Sequence, residues 1–313
     1  MFEKIISAIN KAKNILVFIH MNPDGDALGS ALGFANGMEK AGKNVAILLE
    51  KEKDEMFSCF SGPFVTDADE KEFDLLVSLD CGSLERMGKV ADKFYGNTIN
   101  IDHHHQNTNF ADINYVDGEK AATGEIVYLL LKEMNIEFDE KIASPLYGAI
   151  LTDTGGFMFS NTSEFTHKMA ADLISSGADY YELNKKLMGE KSYHRHLLSA
   201  KCVEKMEFES DGKICICVLS NEFCCEHNIN NDELNGIPAL LRSVSGVEVG
   251  VLITEAEKGT IKVSLRSDKI VDVSKICEKF GGGGHIRAGG IRIQRRDINE
   301  IKEELLKEIK KEL

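Results

Sequence analysis

The chain of 313 residues contains no tryptophan and only four prolines. It has no apolar run near the roughly 18–20 residues that span a bilayer, so no membrane partner or helical anchor is expected. Met1-Phe2-Glu3-Lys4 opens an ordinary amphipathic segment, with no secretory signal pattern ahead of it. The eight cysteines lack both that secretory context and the paired spacing of a structural zinc site. They read as reduced thiols and the protein as cytoplasmic. No G-x4-G-K-[ST] is present, so NTP hydrolysis through a P-loop is unsupported. Positive charge is scarce: 37 Lys and Arg face 51 Asp and Glu, for a net charge of −14. That balance argues against coating long nucleic acid, duplex included, and leaves room for a small anionic substrate held by a few local cations.

Arginine is scarce in one part only. Residues 1–204 hold just Arg86 and Arg195, whereas Arg242, Arg266, Arg287, Arg292, Arg295 and Arg296 lie beyond them. The first part balances at −12 and the second at −2. Potential metal ligands thus crowd the first part, and planar, bidentate phosphate binders the second. On the counts alone, chance and solvated surface charge are the better explanation, so motifs must decide. The length suggests two domains.

What is present is an alternation of strand and helix patterns. The continuous apolar run at 14–20 suits a buried parallel strand, and 45–49, 73–80 and 98–102 read as further short strands. Helical spacing occupies 29–42, 121–134 and 164–175. The fold class expected is α/β, with a largely parallel sheet flanked by helices in a domain spanning 1–190. Residues 191–205 read as a helical connector. A smaller α/β domain follows over 206–313, with strands near 214–219, 247–254 and 260–266, a helix at 271–280, a strand at 290–293 and a charged final helix at 297–313.

Three of the strand candidates end in metal-binding side chains: His20, Asp80, and the run Asp102-His103-His104-His105. In open α/β sheets ligands sit outside the carboxyl ends of the strands, so these ends should line one crevice. The loop after His20 adds Asn22, Asp24 and Asp26, with Pro23 and Gly25 allowing a tight turn. Asp153 precedes the flexible pair Gly155-Gly156. Four carboxylates in one crevice would repel by up to ~4 kcal/mol per close pair at an effective dielectric near 20. Two divalent cations would cancel that charge, activate a water as hydroxide and screen an attacked phosphate. Histidine among the ligands favours manganese or cobalt over magnesium. Each piece alone also reads as ordinary structure: Asp-Gly-Asp as a surface turn, a strand-end His or Asp as a hydrogen-bonded rim residue. The ordered conjunction is far more specific than any part.

The motifs His20-x3-Asp24-x-Asp26, Asp80, Asp102-His103-His104 and Asp153 resemble those of the DHH phosphoesterases. The segment from Gly281 to Gly290, with His285 and Arg287, resembles the signature of the accompanying DHHA1 domain. Length and domain order are most similar to the short-oligoribonucleotide nuclease and pAp phosphatase branch. The resemblance implies a DHH catalytic domain over 1–190 and a DHHA1 substrate domain over 206–313. It further implies that His20, Asp24 and Asp80 hold one manganese, and that Asp26, Asp80, His103 and Asp153 hold a second, Asp80 bridging. Asp102 would orient a neighbouring ligand and His104 would face the phosphate or leaving oxygen; Asn22 falls in the substrate-binding set. His105 extends the run, which leaves open which imidazole binds metal.

Gly281 to Gly284 can present successive backbone N–H groups as an anion-binding nest, or serve as a flexible loop. The resemblance assigns Gly282, Gly283, Gly284, His285 and Arg287 to substrate phosphate, together with Arg266. The implied activity is manganese-dependent hydrolysis of short RNA to mononucleotides and dephosphorylation of pAp. The second lobe would grip a terminal phosphate and so measure substrate length. A cyclic- or linear-dinucleotide phosphodiesterase (c-di-AMP or c-di-GMP, pApA or pGpG) would use the same lobes. A manganese pyrophosphatase lacks the glycine signature, a processive single-strand DNA exonuclease needs further domains, and a non-catalytic nucleotide sensor would not need a full ligand set. A homodimer is compatible with the sequence but not readable from it.

Overall fold

The run Asn14-Ile-Leu-Val-Phe18 is apolar at every position after the first because both faces of its strand are covered. Ile15 and Val17 pack into one core and Leu16 and Phe18 into another on the opposite face. The computed structural model describes residues 2–313 except 54, 228, 230, 235, 257, 258 and 295, with backbone alone at 231, 232, 256 and 285. The chain divides into two compact units, Met1–Glu190 and Lys191–Leu313.

In the first unit the order is α1 (Glu3–Lys11), β1 (Asn14–Phe18), α2 (Gly25–Lys40), β2 (Asn44–Leu48), β3 (Phe64–Val65), β4 (Leu75–Leu79), β5 (Thr98–Asp102) and β6 (Ile113–Val116). Four helices follow: α3 (Thr123–Glu133), α4 (Glu140–Asp153), α5 (Glu164–Ser175) and α6 (Tyr180–Asn184). The six strands lie in the order β3-β2-β1-β4-β5-β6, and all are parallel. Their carboxyl ends therefore share one edge. One face carries α2, α3 and α4 over Ile15, Val77, Ile99 and Ile101, and the other packs Leu76 and Phe18 against Met87, Val90 and Phe94.

Helix α4 escaped the sequence reading, because Pro145 sits within it. Proline cannot donate to the carbonyl four residues back. That carbonyl, of Lys141, instead accepts Asn36 Nδ2 at 2.5 Å from α2. The helix that looked broken is thus repaired by its neighbour. Helix α2 also begins earlier than its periodicity suggests, since Asp24 caps it by accepting the N–H groups of Asp26 and Ala27.

The second unit comprises α7 (Tyr193–Glu204), β7 (Glu207–Glu209), β8 (Ile214–Leu219), α8 (Asn221–Glu226), α9 (Ile237–Arg242), β9 (Val249–Ala256), β10 (Thr260–Ser267), α10 (Val273–Lys279), β11 (Gly283–His285), β12 (Ala288–Gln294) and α11 (Ile298–Glu312). Its sheet runs β11-β12-β10-β9-β8-β7, with only β8 and β9 parallel among its pairs. One face packs on α10 and α11 through Ile276, Ile301, Leu305 and Ile309. The other packs on α7 and α9, so Leu198 and Cys202, in the segment read as a connector, belong to this unit's core. Among the described residues no helix is long and apolar enough to cross a membrane. All eight cysteines are free thiols.

Candidate metal centre

Three of the six parallel strands, β1, β4 and β5, lead into side chains that meet at one edge. His20 follows β1 and its Nδ1 donates to the Met21 carbonyl at 2.9 Å. A carbonyl can only accept, so the neutral ring presents its Nε2 lone pair to Asp24 Oδ2 at 3.8 Å and Asp80 Oδ2 at 3.7 Å. Asp80 follows β4 in the left-handed region (φ 56°), which turns its carboxylate out of the strand alternation. His103 follows β5 and is fixed in the same manner, Nδ1 donating to the Lys120 carbonyl at 3.2 Å. Its Nε2 lies 3.8 Å from Asp26 Oδ2, 3.6 Å from Asp80 Oδ1 and 3.6 Å from Asp153 Oδ2. These separations are too long for hydrogen bonds, yet the atoms converge. Asp80, His103 and His104 hold their ligand atoms within 4.8 Å of one another, and so do two further groups, His20–Asp24–Asp80 and Asp26–His103–Asp153. Asp80 reaches both, one oxygen toward each imidazole.

The remaining two sequence candidates of this centre sit beside it. Asp102 is buried, and its Oδ1 accepts His104 Nδ1 at 2.7 Å. His104 Nδ1 also lies 3.7 Å from Asp80 Oδ1. His105 is exposed and packs over Gly118, where an added Cβ would meet its ring at 2.2 Å. The geometry therefore draws His103 and His104 toward the acids and turns His105 away. Asn22 is exposed and takes a left-handed backbone (φ 55°) in the turn before α2.

Several partners had no signal in the sequence. Asp26 accepts the backbone N–H groups of Thr123 (2.7 Å) and Gly124 (3.0 Å) at the start of α3, and Ser30 Oγ at 2.8 Å. Thr123 Oγ1 donates to Asp80 Oδ1 at 2.9 Å. Asn107 Nδ2 donates to Asp102 Oδ2 at 2.6 Å, and Asn161 Nδ2 to the carbonyls of Ala121 and Asp153. Only Thr123-Gly124 carried even a generic cue, the small residues common where a helix begins.

The electrostatics are those of a site short of positive charge. Burial and Asp80 push Asp26 up to about 8. Burial and Asp24 raise Asp80 to about 7, and burial and Asp26 raise Asp153 to about 7. Burial alone would lower both imidazoles, but the acids outweigh it and hold His20 and His103 up at about 9. Asp24 is more than half exposed, so what desolvation it meets gives way to His20, and its carboxyl falls to about 2. Asp153 also closes α4 at the negative end of the helix dipole, the least favourable place for an acid without a cation. Buried carboxylates and oriented imidazoles are the donors that divalent ions of the first transition row accept. Cys81, beside Asp80, is buried with its thiol pushed up to about 12 by burial, which suits a packed residue and not a nucleophile.

In the second unit, the glycine run is not an open loop. Gly283–His285 pair antiparallel with Ala288–Gly290, so part of the row of N–H groups expected to form a nest faces a partner strand. Gly282 and Gly284 are needed there, because a Cβ on either would meet the carbonyl of Gly290 or Ala288 at 2.2 Å. Arg287 donates through Nη1 to the Val271 carbonyl at 2.9 Å and through Nη2 to that of Lys269. Arg266 Nη1 donates to the Leu265 carbonyl at 3.0 Å. The side chain of His285, and all of Arg295, lie outside the described residues.

Comparison with known proteins agrees with this architecture. Residues 14–150 match the model of the DHH family, N-terminal domain, and residues 211–312 that of the DHHA1 domain. A Thermus thermophilus protein named bifunctional oligoribonuclease and PAP phosphatase NrnA is 32% identical over 99% of this chain and 94% of its own. A Streptococcus mutans protein named as a probable bifunctional oligoribonuclease and PAP phosphatase NrnA is 26% identical over 98% of this chain and 99% of its own. In fold, the chain is similar to an exopolyphosphatase-related protein from Bacteroides fragilis (TM-score 0.91, 24% identity, covering 98% of this chain and 95% of that one). With both family domains in order and a relative above 30% identity along its whole length, the chain belongs to the DHH phosphoesterase family in its DHH–DHHA1 form.

Proposed function

We propose that this protein hydrolyses short oligoribonucleotides to mononucleotides and removes the 3′-phosphate of pAp, using two divalent ions, manganese first among them, in the cytoplasm. The observation that carries the reading is Asp80 extending one oxygen toward His20 and the other toward His103, between two groups of ligand atoms. The names of full-length relatives support the substrate class. His20, Asp24 and Asp80 would hold one ion, and Asp26, Asp80, His103 and Asp153 the other. When bound, such ions polarise a phosphate and lower the pKa of the attacking water. Asp102 holds His104 through Nδ1, aiming the ring at the phosphate or leaving oxygen, where it can donate a proton. The second unit would contribute Gly282, Gly283, Gly284, His285, Arg287 and Arg266 to hold substrate phosphate. A net charge of −14 suits a ligand with few phosphates to neutralise.

The direct test incubates the protein and manganese with labelled di- to pentaribonucleotides, pAp, pyrophosphate and a cyclic dinucleotide. Mononucleotides from the short RNAs and AMP from pAp are expected. Turnover confined to the cyclic dinucleotide would instead assign the enzyme to signalling-nucleotide breakdown.

Metal uptake should also release protons. Burial and mutual repulsion hold Asp26, Asp80 and Asp153 up at about 8, 7 and 7, and the acids hold both imidazoles up at about 9, so without metal the centre retains protons at pH 7. Ligation needs ionised carboxylates and neutral imidazoles, so apparent affinity rises with pH, about tenfold per unit for each proton displaced, between pH 6 and 9. Calorimetry in two buffers of different ionisation enthalpy reads the proton count. An affinity flat across that window would mean the ions bind elsewhere.

A further inference from the structure

The carboxyl edge of the first sheet carries a second feature. Past the ends of β2 and β3 lies a crevice of about 620 Å³ whose lining includes Leu49, Lys53, Ser61, Phe64, Val65 and Thr66. Because β3 pairs parallel with β2 and β2 with β1, this crevice and His20 follow the same edge of one sheet. Neighbouring strands lie about 4.8 Å apart, so β2 and β3 run ~5 and ~10 Å from the strand that delivers His20. That displacement suits the next unit of a chain whose phosphate sits over the acids.

The lining has the mixed chemistry of a nucleoside's counterpart. Leu49 is buried and Val65 half-buried, giving an apolar floor. Phe64 is half-buried, and Lys53 Nζ stands 5.8 Å from its ring centroid. A base can stack on such a ring whatever its identity, while the ammonium meets nearby phosphate charge. Ser61 and Thr66 are exposed at the lip, beside the carboxylates of Glu52 and Asp67. Hydroxyl and carboxylate groups are the usual partners of ribose hydroxyls. Asp67 is already paired with Lys93 at 2.8 Å, so the rim is less acidic than its residue count implies. None of these residues belongs to the ligand groups around Asp80.

We propose that this crevice holds the second nucleoside of an oligoribonucleotide, the unit beyond the scissile phosphodiester that pAp lacks. The inference rests on the function proposed above and deepens it: one metal centre, with the crevice used by oligonucleotides only.

The experiment compares kcat and KM for pAp, a diribonucleotide and a triribonucleotide in the parent, Lys53→Ala and Phe64→Leu, with thermal melting as a check on folding. Leucine keeps apolar volume at position 64 and removes only the ring. Both variants should lose about tenfold in kcat/KM on the di- and triribonucleotide, mostly through KM, while pAp hydrolysis moves by less than about twofold. Variants that treat all three substrates as the parent does, or that lose pAp and oligonucleotides alike, would overturn the crevice assignment alone. A parent that hydrolyses none of the three would overturn the functional reading, and the crevice assignment with it.

Discussion

Asp80→Asn abolishes turnover, with an expected loss on the order of 10³-fold or more, and at the same time makes the metal-free protein melt at a higher temperature than the parent. The two effects share one cause. Asp80 is buried, and its carboxyl is raised to about 7 by burial and by the charges of Asp24 and Asp153. A carboxyl raised in the folded state destabilises that state once pH exceeds its unfolded value near 4, and the penalty grows until the folded value is passed. Asparagine removes it. Asparagine also tolerates the left-handed backbone at this position, and its Oδ1 can still accept Thr123 Oγ1, so neither strain nor an orphaned hydroxyl confuses the result. Divalent ions, which should raise the parent's melting temperature more at pH 8 than at pH 6, should do so little for the variant. Melting curves with and without manganese check both halves. A variant that keeps either its turnover or the full metal-induced gain would remove Asp80 from the bridging position.

Gly29→Ala is the second large effect, and it runs against helix propensity. In an exposed helix interior alanine is better than glycine by about 1 kcal/mol. Gly29 lies inside α2, where α4 approaches so closely that an added Cβ would stand 2.4 Å from the Pro145 carbonyl oxygen and 2.9 Å from Ala149 N. Both are backbone atoms and cannot turn aside. The helices must separate, at an expected net cost of about 1–3 kcal/mol in urea denaturation. Because α2 carries Asp26 and α4 ends in Asp153, separation also pulls apart acids that meet at His103, so manganese affinity falls with stability. Gly33→Ala is the control. There the atoms nearest the new Cβ belong to the Leu146 side chain, the first at 2.6 Å, and a side chain can shift where backbone cannot. Equal stability for the two variants would show that the contact at Gly29 is not rigid.

The fold class, and the His and Asp side chains that the fold brings together, were legible in the chain because they depend on local pattern. Strands buried on both faces are mostly apolar, which makes a parallel sheet visible as runs such as 14–18 and 75–79, although the buried β5 keeps Asn100. Parallel strands expose their carboxyl ends together, so a His or Asp closing several of them signals one site before any coordinates exist. Helix α4 was hidden by a proline whose lost hydrogen bond is repaired by Asn36 of α2, 105 positions before the Lys141 carbonyl that it caps.

What only the tertiary structure decided is which atoms face which. Residue order could not separate the three consecutive histidines. The chain's path after β5 does so, setting His103 on the Lys120 carbonyl, His104 on Asp102 and His105 over Gly118. Nor could it reveal that the start of α3 donates to Asp26 and Asp80, or that half of the glycine run is a strand edge. Side-chain identity is a local property of the chain. Hydrogen-bond direction and ligand separation are set by contacts between segments far apart in sequence, and these exist only once the helices have packed on the sheet.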